Sequence, residues 1–84
     1  MSNVVYGENA KVFVYSKKNC AACERVKGEL SLKAVPFEVK MVDTDLDAMD
    51  FIASQGHRSV PQVYVLIGDE YVHTDPKTIT NELI

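Results

Sequence analysis

The sequence predicts an α/β fold, a four-stranded mixed sheet with three helices in the order β-α-β-α-β-β-α. Three observations carry this reading. The β-branched and aromatic run Val12-Phe13-Val14-Tyr15 leads into a stretch of helical periodicity and then into an alternating run from Phe37. Strand, helix and strand of these lengths form a right-handed parallel unit. Farther along, a β-rich run over 58–67, the pair Gly68-Asp69 and the run over 70–73 read as a hairpin, which adds antiparallel strands to the same sheet.

Residues 1–10 admit two readings, a short edge strand through Val4-Val5-Tyr6 or an extended arm, with Gly7-Glu8-Asn9 as a turn. The first strand of the sheet covers 11–16, and a helix covers 21–33 with Asn19 as its N-cap. Cys23, Val26 and Leu30 fall at i, i+3 and i+7 on that helix, one apolar stripe, while Glu24, Arg25, Lys27 and Glu29 look outward. The helix frays near Ala34-Val35 because Pro36 biases its predecessor away from helical angles.

A second strand follows over 37–42, with Phe37, Val39 and Met41 on one face. Asp43-Thr44-Asp45 supplies cap chemistry for a second helix whose apolar stripe is Leu46, Met49, Ile52 and Ala53 and which Gly56 ends. Pro61 sits near the start of the next strand, where a proline is tolerated. Asp75-Pro76 then places a cap residue and a proline at the first position of a third helix, with Ile79, Leu83 and Ile84 facing the core. There is no internal repeat, low-complexity tract or linker, so residues 1–84 are expected to form one domain.

A formal charge of −3 and a pI near 5.2 leave nucleic-acid binding without electrostatic support. The chain is 46% hydrophobic, yet no apolar run approaches the roughly 20 residues of a membrane span. Its start, Met1-Ser2-Asn3-Val4, has neither a basic region nor a long apolar one, so export is not expected and the cytoplasm is. Asp43, Asp45, Asp47 and Asp50 gather near the start of the second helix, where the dipole favours them, and their spacing is not that of a calcium loop.

Both cysteines lie in Ser16-Lys17-Lys18-Asn19-Cys20-Ala21-Ala22-Cys23. Two thiols at this spacing close as a disulfide or open as a dithiol, a two-electron switch. A structural zinc site wants four ligands, and two sulfurs do not supply them. At the start of a helix the first cysteine meets unpaired N–H groups and the positive end of the dipole, which stabilise a thiolate. Lys17, Lys18, Arg25 and Lys27 add positive charge nearby. The helical stripe makes the pair unequal, with Cys20 exposed at the tip and Cys23 half buried one turn below.

Lys17 three residues before the first cysteine, C-A-A-C after a strand, Ser59-Val60-Pro61 heading a β-run and the element order together resemble the glutaredoxin family of the thioredoxin superfamily. The resemblance covers nearly all of 11–84 and implies a thioredoxin-like (glutaredoxin) fold and thiol-disulfide oxidoreductase activity. It makes Cys20 the nucleophile that attacks a substrate disulfide and Cys23 the thiol that resolves the mixed disulfide. Pro61 matches a cis-proline beside the dithiol, a trans proline at the head of an edge strand being the plainer alternative. Val60 matches the residue whose backbone pairs with bound glutathione or peptide. Lys17 matches a contact to the glutathione carboxylate, to which Arg58 adds, and Asp75 matches an acidic contact, although it also suits an N-cap.

Two departures from the family pattern stand out. Ala21-Ala22 replaces a common Pro-Tyr between the cysteines, and no Gly-Gly pair follows the return strand, where Tyr71-Val72-His73-Thr74-Asp75 runs instead. Gln55-Gly56-His57-Arg58-Ser59-Val60-Pro61 is similar to the small NrdH-redoxin type of electron donor, some of which phages encode. The resemblance therefore implies glutathione, or NADPH through thioredoxin reductase, as reductant, with no bound cofactor or metal. It implies a monomer acting on a protein disulfide such as that of ribonucleotide reductase. The alternative is an iron-sulfur cluster carrier, assembled from the first cysteine of two copies and glutathione. His57 and His73 read as surface or turn residues.

Overall fold

The computed structural model describes residues 4–6 and 10–81. Its elements run β1 (Val4–Tyr6), β2 (Ala10–Ser16), α1 (Ala21–Leu32), β3 (Glu38–Met41), α2 (Leu46–Ser54), β4 (Gln62–Ile67), β5 (Glu70–His73), a 3-10 turn (Pro76–Thr78) and β6 (Ile79–Asn81). Four strands form one mixed sheet in the order β3-β2-β4-β5. β2 runs parallel to β3 and antiparallel to β4, and β4 and β5 form the hairpin turned by Gly68-Asp69. β1 and β6 make a separate parallel pair, so the N-terminal segment takes the strand reading of the two that its sequence allows.

Central β2 is buried on both faces because its residues alternate between two apolar layers. On the α1 side, Val12, Val14, Val63 and Val65 pack with Leu30 and Ile79. On the α2 side, Phe13, Tyr15 and Tyr64 meet Ala48 and Ile52. The rings of Phe51, Tyr15 and Tyr64 lie 5.0 to 5.9 Å apart there, a spacing favourable for aromatic contact.

Both helices end in the same way. In α2, Gly56 takes φ +84° while the N–H groups of Gly56 and His57 return to the carbonyls of Ala53 and Ile52. This left-handed closure favours glycine, which has no Cβ to strain. α1 closes identically through Ala34, at φ +57°, whose N–H and that of Val35 donate to Ser31 and Leu30.

Three expectations need correction. Among the described residues there are two α-helices, not three. Asp75 does cap a turn, its Oδ1 accepting from the Lys77 N–H at 2.9 Å, with Pro76 at the first position. The turn then stops, because Thr78-Ile79-Thr80 is a β-branched run that prefers extended chain and β1 offers it a partner. Ile79 is still fully buried, as expected, whereas Leu83 and Ile84 lie outside the described residues. Lys33 ties this segment down, its Nζ donating to the carbonyls of Pro76, Lys77 and Ile79 at 2.9, 3.2 and 3.1 Å.

The second correction concerns Asn19, which does not cap α1. It takes φ +56°, a left-handed conformation that asparagine tolerates, and Cys20 becomes the cap. Third, Leu46 and Met49 are 80% and 52% exposed and Ala53 is exposed too, so of the expected stripe of α2 only Ile52 is buried, with Ala48 beside it. No helix among the described residues is long and apolar enough to cross a membrane.

Candidate active site

β2 ends at Ser16, fully buried, and the chain turns through 17–19 before α1 begins. The Lys18 N–H donates to the Asp43 Oδ2 at 3.1 Å, so the loop after β3 holds the loop after β2. Cys20 then has extended backbone angles and its Sγ accepts the Cys23 N–H at 3.2 Å, the bond that an oxygen side chain makes at an ordinary N-cap. Cys20 and Cys23 form a disulfide with their Cα atoms 5.2 Å apart. Cys23 is fully buried and Cys20 is partly exposed, the asymmetry expected from the helical stripe.

Opposite the sulfurs, the Val60–Pro61 peptide is cis, and the Val60 carbonyl oxygen lies 4.0 Å from the Cys20 Sγ. Two clefts meet at this peptide. One, of about 170 Å³, is lined by Lys17, Arg58 and Val60 together with Met49, Ile52 and Ala53 from α2. The other, of about 420 Å³, lies between Pro61, Thr74, Asp75 and Val26. The first has cationic side chains in its lining and the second an acid.

All seven residues singled out from the sequence therefore gather at one end of the sheet. Cys20, Cys23 and Val60 meet directly, Lys17 and Arg58 share the first cleft with Val60, and Asp75 shares the second with Pro61. The wider cluster of cations is smaller than its count suggests, since Lys27 Nζ pairs with Glu24 at 2.6 Å. The acidic run splits as well. Asp43 anchors the Lys18 amide, and the Asp45 Oδ1 accepts the Ala48 N–H at 3.2 Å as the cap of α2. No group of three or more potential metal ligands occurs among the described residues.

Sequence reasoning missed the groups that hold the Val60–Pro61 turn. Gln62 Nε2 donates to the Ser59 carbonyl at 3.0 Å, and Gln62 Oε1 lies 2.8 Å from His73 Nε2. His57 Nε2 is 2.7 Å from the Tyr64 hydroxyl. The alternation of β4 and β5 could have signalled that Gln62 and His73 share a face, because Tyr64 pairs with His73 in the hairpin register. Burial, with His57 as a smaller contributor, lowers the His73 pKa from the ordinary imidazole value, and burial raises that of Tyr64.

Comparison with known proteins agrees with this site. Residues 12–72 match the family model described as Glutaredoxin. The chain is 33% identical over 58 residues to the glutaredoxin-like protein NrdH of Salmonella typhimurium, covering 69% of each sequence. It is 33% identical over 57 residues to glutaredoxin 3 of Escherichia coli, covering 67% of this chain and 69% of that one. Its structure is similar to that of the NrdH-redoxin from Escherichia coli, with a TM-score of 0.62 and 25% identity over 79% of this chain and 86% of that chain. A dithiol pair at a helix start, a cis-proline peptide facing it and these likenesses lead to one statement of identity: the chain belongs to the glutaredoxin family.

Proposed function

We propose that this protein is a dithiol reductant of protein disulfides. The observation that carries the reading is the Cys23 N–H aimed at the Cys20 sulfur while Cys23 itself is buried. Once the pair is reduced, the same N–H and the end of α1 favour Cys20 as a thiolate, and the thiolate is the attacking form. The Cys20 Sγ displaces one sulfur of a substrate disulfide, which leaves as a thiolate. Cys23, having given up its proton, then attacks the Cys20 Sγ and the second substrate sulfur leaves. The substrate gains two electrons and two protons, and the protein is left with its Cys20–Cys23 disulfide.

Val60 serves this reaction through its backbone, next to the sulfur that the substrate must reach. Lys17 and Arg58 hold a carboxylate of the bound chain, and Pro61 with Asp75 borders the path of the other flank. A disulfide-bearing peptide with a carboxylate on one side of its cysteine fits these two clefts.

Electrons come from a thioredoxin-reductase type of enzyme fed by NADPH. The support lies in the stretch after β5. The Thr74 N–H is bonded to the Val63 carbonyl at 3.0 Å, its hydroxyl to the Val72 carbonyl at 2.8 Å, and the Asp75 carboxylate to the Lys77 N–H. The Asp75 carboxylate, the acidic contact to glutathione that the resemblance implies, is thus already engaged within the fold. The NrdH-redoxin from Escherichia coli, to which this structure is similar, is described as having a thioredoxin-like activity profile. A substrate such as the disulfide of ribonucleotide reductase fits this class.

Two parallel assays with one disulfide substrate test the reading, one supplied with glutathione, glutathione reductase and NADPH, the other with thioredoxin reductase and NADPH. Turnover in the second assay alone is expected. Equal or greater turnover with glutathione overturns the assignment of the reductase, and inactivity of the reduced protein toward any disulfide overturns the reductant itself.

A further inference from the structure

The turn between α2 and β4 carries Val60 to the Cys20 sulfur, and its own backbone bonds do not explain its position. Two side chains of β4 and one of β5 hold it. Gln62 reaches back to the Ser59 carbonyl with its amide nitrogen, so its amide oxygen faces His73. An amide oxygen only accepts, which requires His73 to carry its proton on Nε2. At the other end of the turn, the N–H of His57 closes α2 on the Ile52 carbonyl while its ring meets the Tyr64 hydroxyl. The two imidazoles then face each other, with ring centroids 4.6 Å apart and planes at 46°.

We propose that Gln62 and His73 are positioning residues for the turn that presents Val60 to Cys20, and that the facing rings of His57 and His73 loosen this hold in acid. The inference rests on the reading of the protein as a dithiol reductant. Neutral rings pack against each other and leave both hydrogen bonds in place. Two imidazolium rings at this separation repel, and one of them must move. β5 is fixed by a continuous ladder to β4, through Tyr64 and His73 among others, whereas the turn has only the side-chain bonds at Ser59 and His57 and the packing of Val60 against the α2-side core. The turn is therefore the part that yields, and Val60 goes with it.

The surrounding charges set the direction. Tyr64 from β4 contributes a hydroxyl, α2 presents only the apolar Met49, Ile52 and Ala53 to the cleft that His57 borders, and Lys17 and Arg58 line that cleft. The cations there disfavour a third and a fourth positive charge. Asp75 borders the cleft beside His73 and is bonded to the Lys77 N–H. A His73 pKa below the ordinary imidazole value of about 6.5 means that the neutral arrangement holds above that pH and is lost as the pH falls through the folded value.

The test separates substrate docking from thiol chemistry. Prereduced protein is mixed with excess oxidised insulin, or with dithiobis(nitrobenzoate), a small disulfide with no peptide chain to dock. Single turnovers are followed by labelling the remaining thiols. Between about pH 7.5 and about pH 5.5, protonation of Cys20 slows the maximal rate with both reagents alike. The half-saturating concentration of insulin is expected to rise about threefold or more over the same range. In His73→Gln, whose amide still donates to Gln62 but cannot become charged, that concentration stays near its neutral-pH value throughout. In His73→Ala it is raised at every pH and no longer varies, and Gln62→Met, which keeps both rings but cuts the link, gives a raised value as well.

A half-saturating concentration that varies with pH in His73→Gln as in the wild type overturns the proposal. So does a Gln62→Met protein that is folded and saturates as the wild type does. If the reduced wild-type protein passes no electrons to either disulfide, the reductant reading falls and the positioning role with it. Transfer to both reagents with an insulin half-saturation independent of pH removes the positioning role alone.

Discussion

Cys23 donates its backbone N–H to the sulfur of Cys20 across 3.2 Å, and the same Cys23 has no exposed surface. One residue thus aims a donor at the sulfur of Cys20 while its own sulfur is kept from solvent. A cysteine in the capping position puts the reactive atom where a serine oxygen would otherwise sit.

The reduced protein is accordingly expected to react with iodoacetamide at Cys20 about tenfold or more faster than at Cys23 near pH 6.5, measured by mass spectrometry of peptides. Cys20→Ser abolishes disulfide exchange, and Cys23→Ser accumulates a mixed disulfide with substrate. Equal alkylation of the two thiols would refute the helix-end account of their difference.

Lys33 is the clamp of the C-terminal segment. Its ammonium donates to three carbonyls around the 3-10 turn and lies 3.4 Å from Glu29, with 29% of the side chain exposed. Lys33→Met keeps the stem and removes the donors, and it should cost about 2 kcal/mol in urea unfolding. Hydrogen exchange should rise first at Ile79–Asn81. A loss spread evenly over the sheet would contradict the clamp.

Ala34 closes α1 at φ +57°, where a Cβ is disfavoured. Ala34→Gly removes that penalty and adds chain entropy to the unfolded state, with a net gain of about 0.5–1 kcal/mol. The urea midpoint should move up at unchanged slope. A lower midpoint would mean that the methyl group packs more favourably than the backbone angle costs.

Tyr15 has its pKa pushed up to about 12, chiefly by burial, with Tyr71, Tyr64 and Asp45 adding to it. The folded state therefore binds the phenolic proton more tightly than the unfolded chain, whose value is 10.0. Its contribution is complete below pH 10 and declines as the pH rises toward 12, because unfolding then releases a proton. Stability measured by urea across this range should fall less steeply in Tyr15→Phe than in the wild type.

Much of this architecture was legible in short stretches. The Cys20-Ala21-Ala22-Cys23 run after a β-rich segment, the Gly68-Asp69 hairpin and the Gly56 helix end each depend on a few adjacent residues, and all are present. The same local rules account for the failures. Asp75-Pro76 is a sound helix start, but it says nothing of the β1 strand that draws Thr78-Ile79-Thr80 into extended chain. Helical spacing identified an apolar stripe on α2, and only the sheet beneath it selected Ala48 and Ile52 over Leu46 and Met49.

By itself, then, the sequence determined the dithiol at a helix start, the unequal burial of its two sulfurs and the succession along the chain of the main sheet's strands. These follow from backbone chemistry and periodicity within one or two turns of chain. The tertiary structure decided what surrounds the dithiol and what ties down the C-terminal segment. The Lys18–Asp43 anchor spans 25 residues, the His73–Gln62 link 11 and the Lys33 clamp more than 40. Such pairs form where separate elements of the fold meet, and no local propensity encodes where a distant side chain arrives.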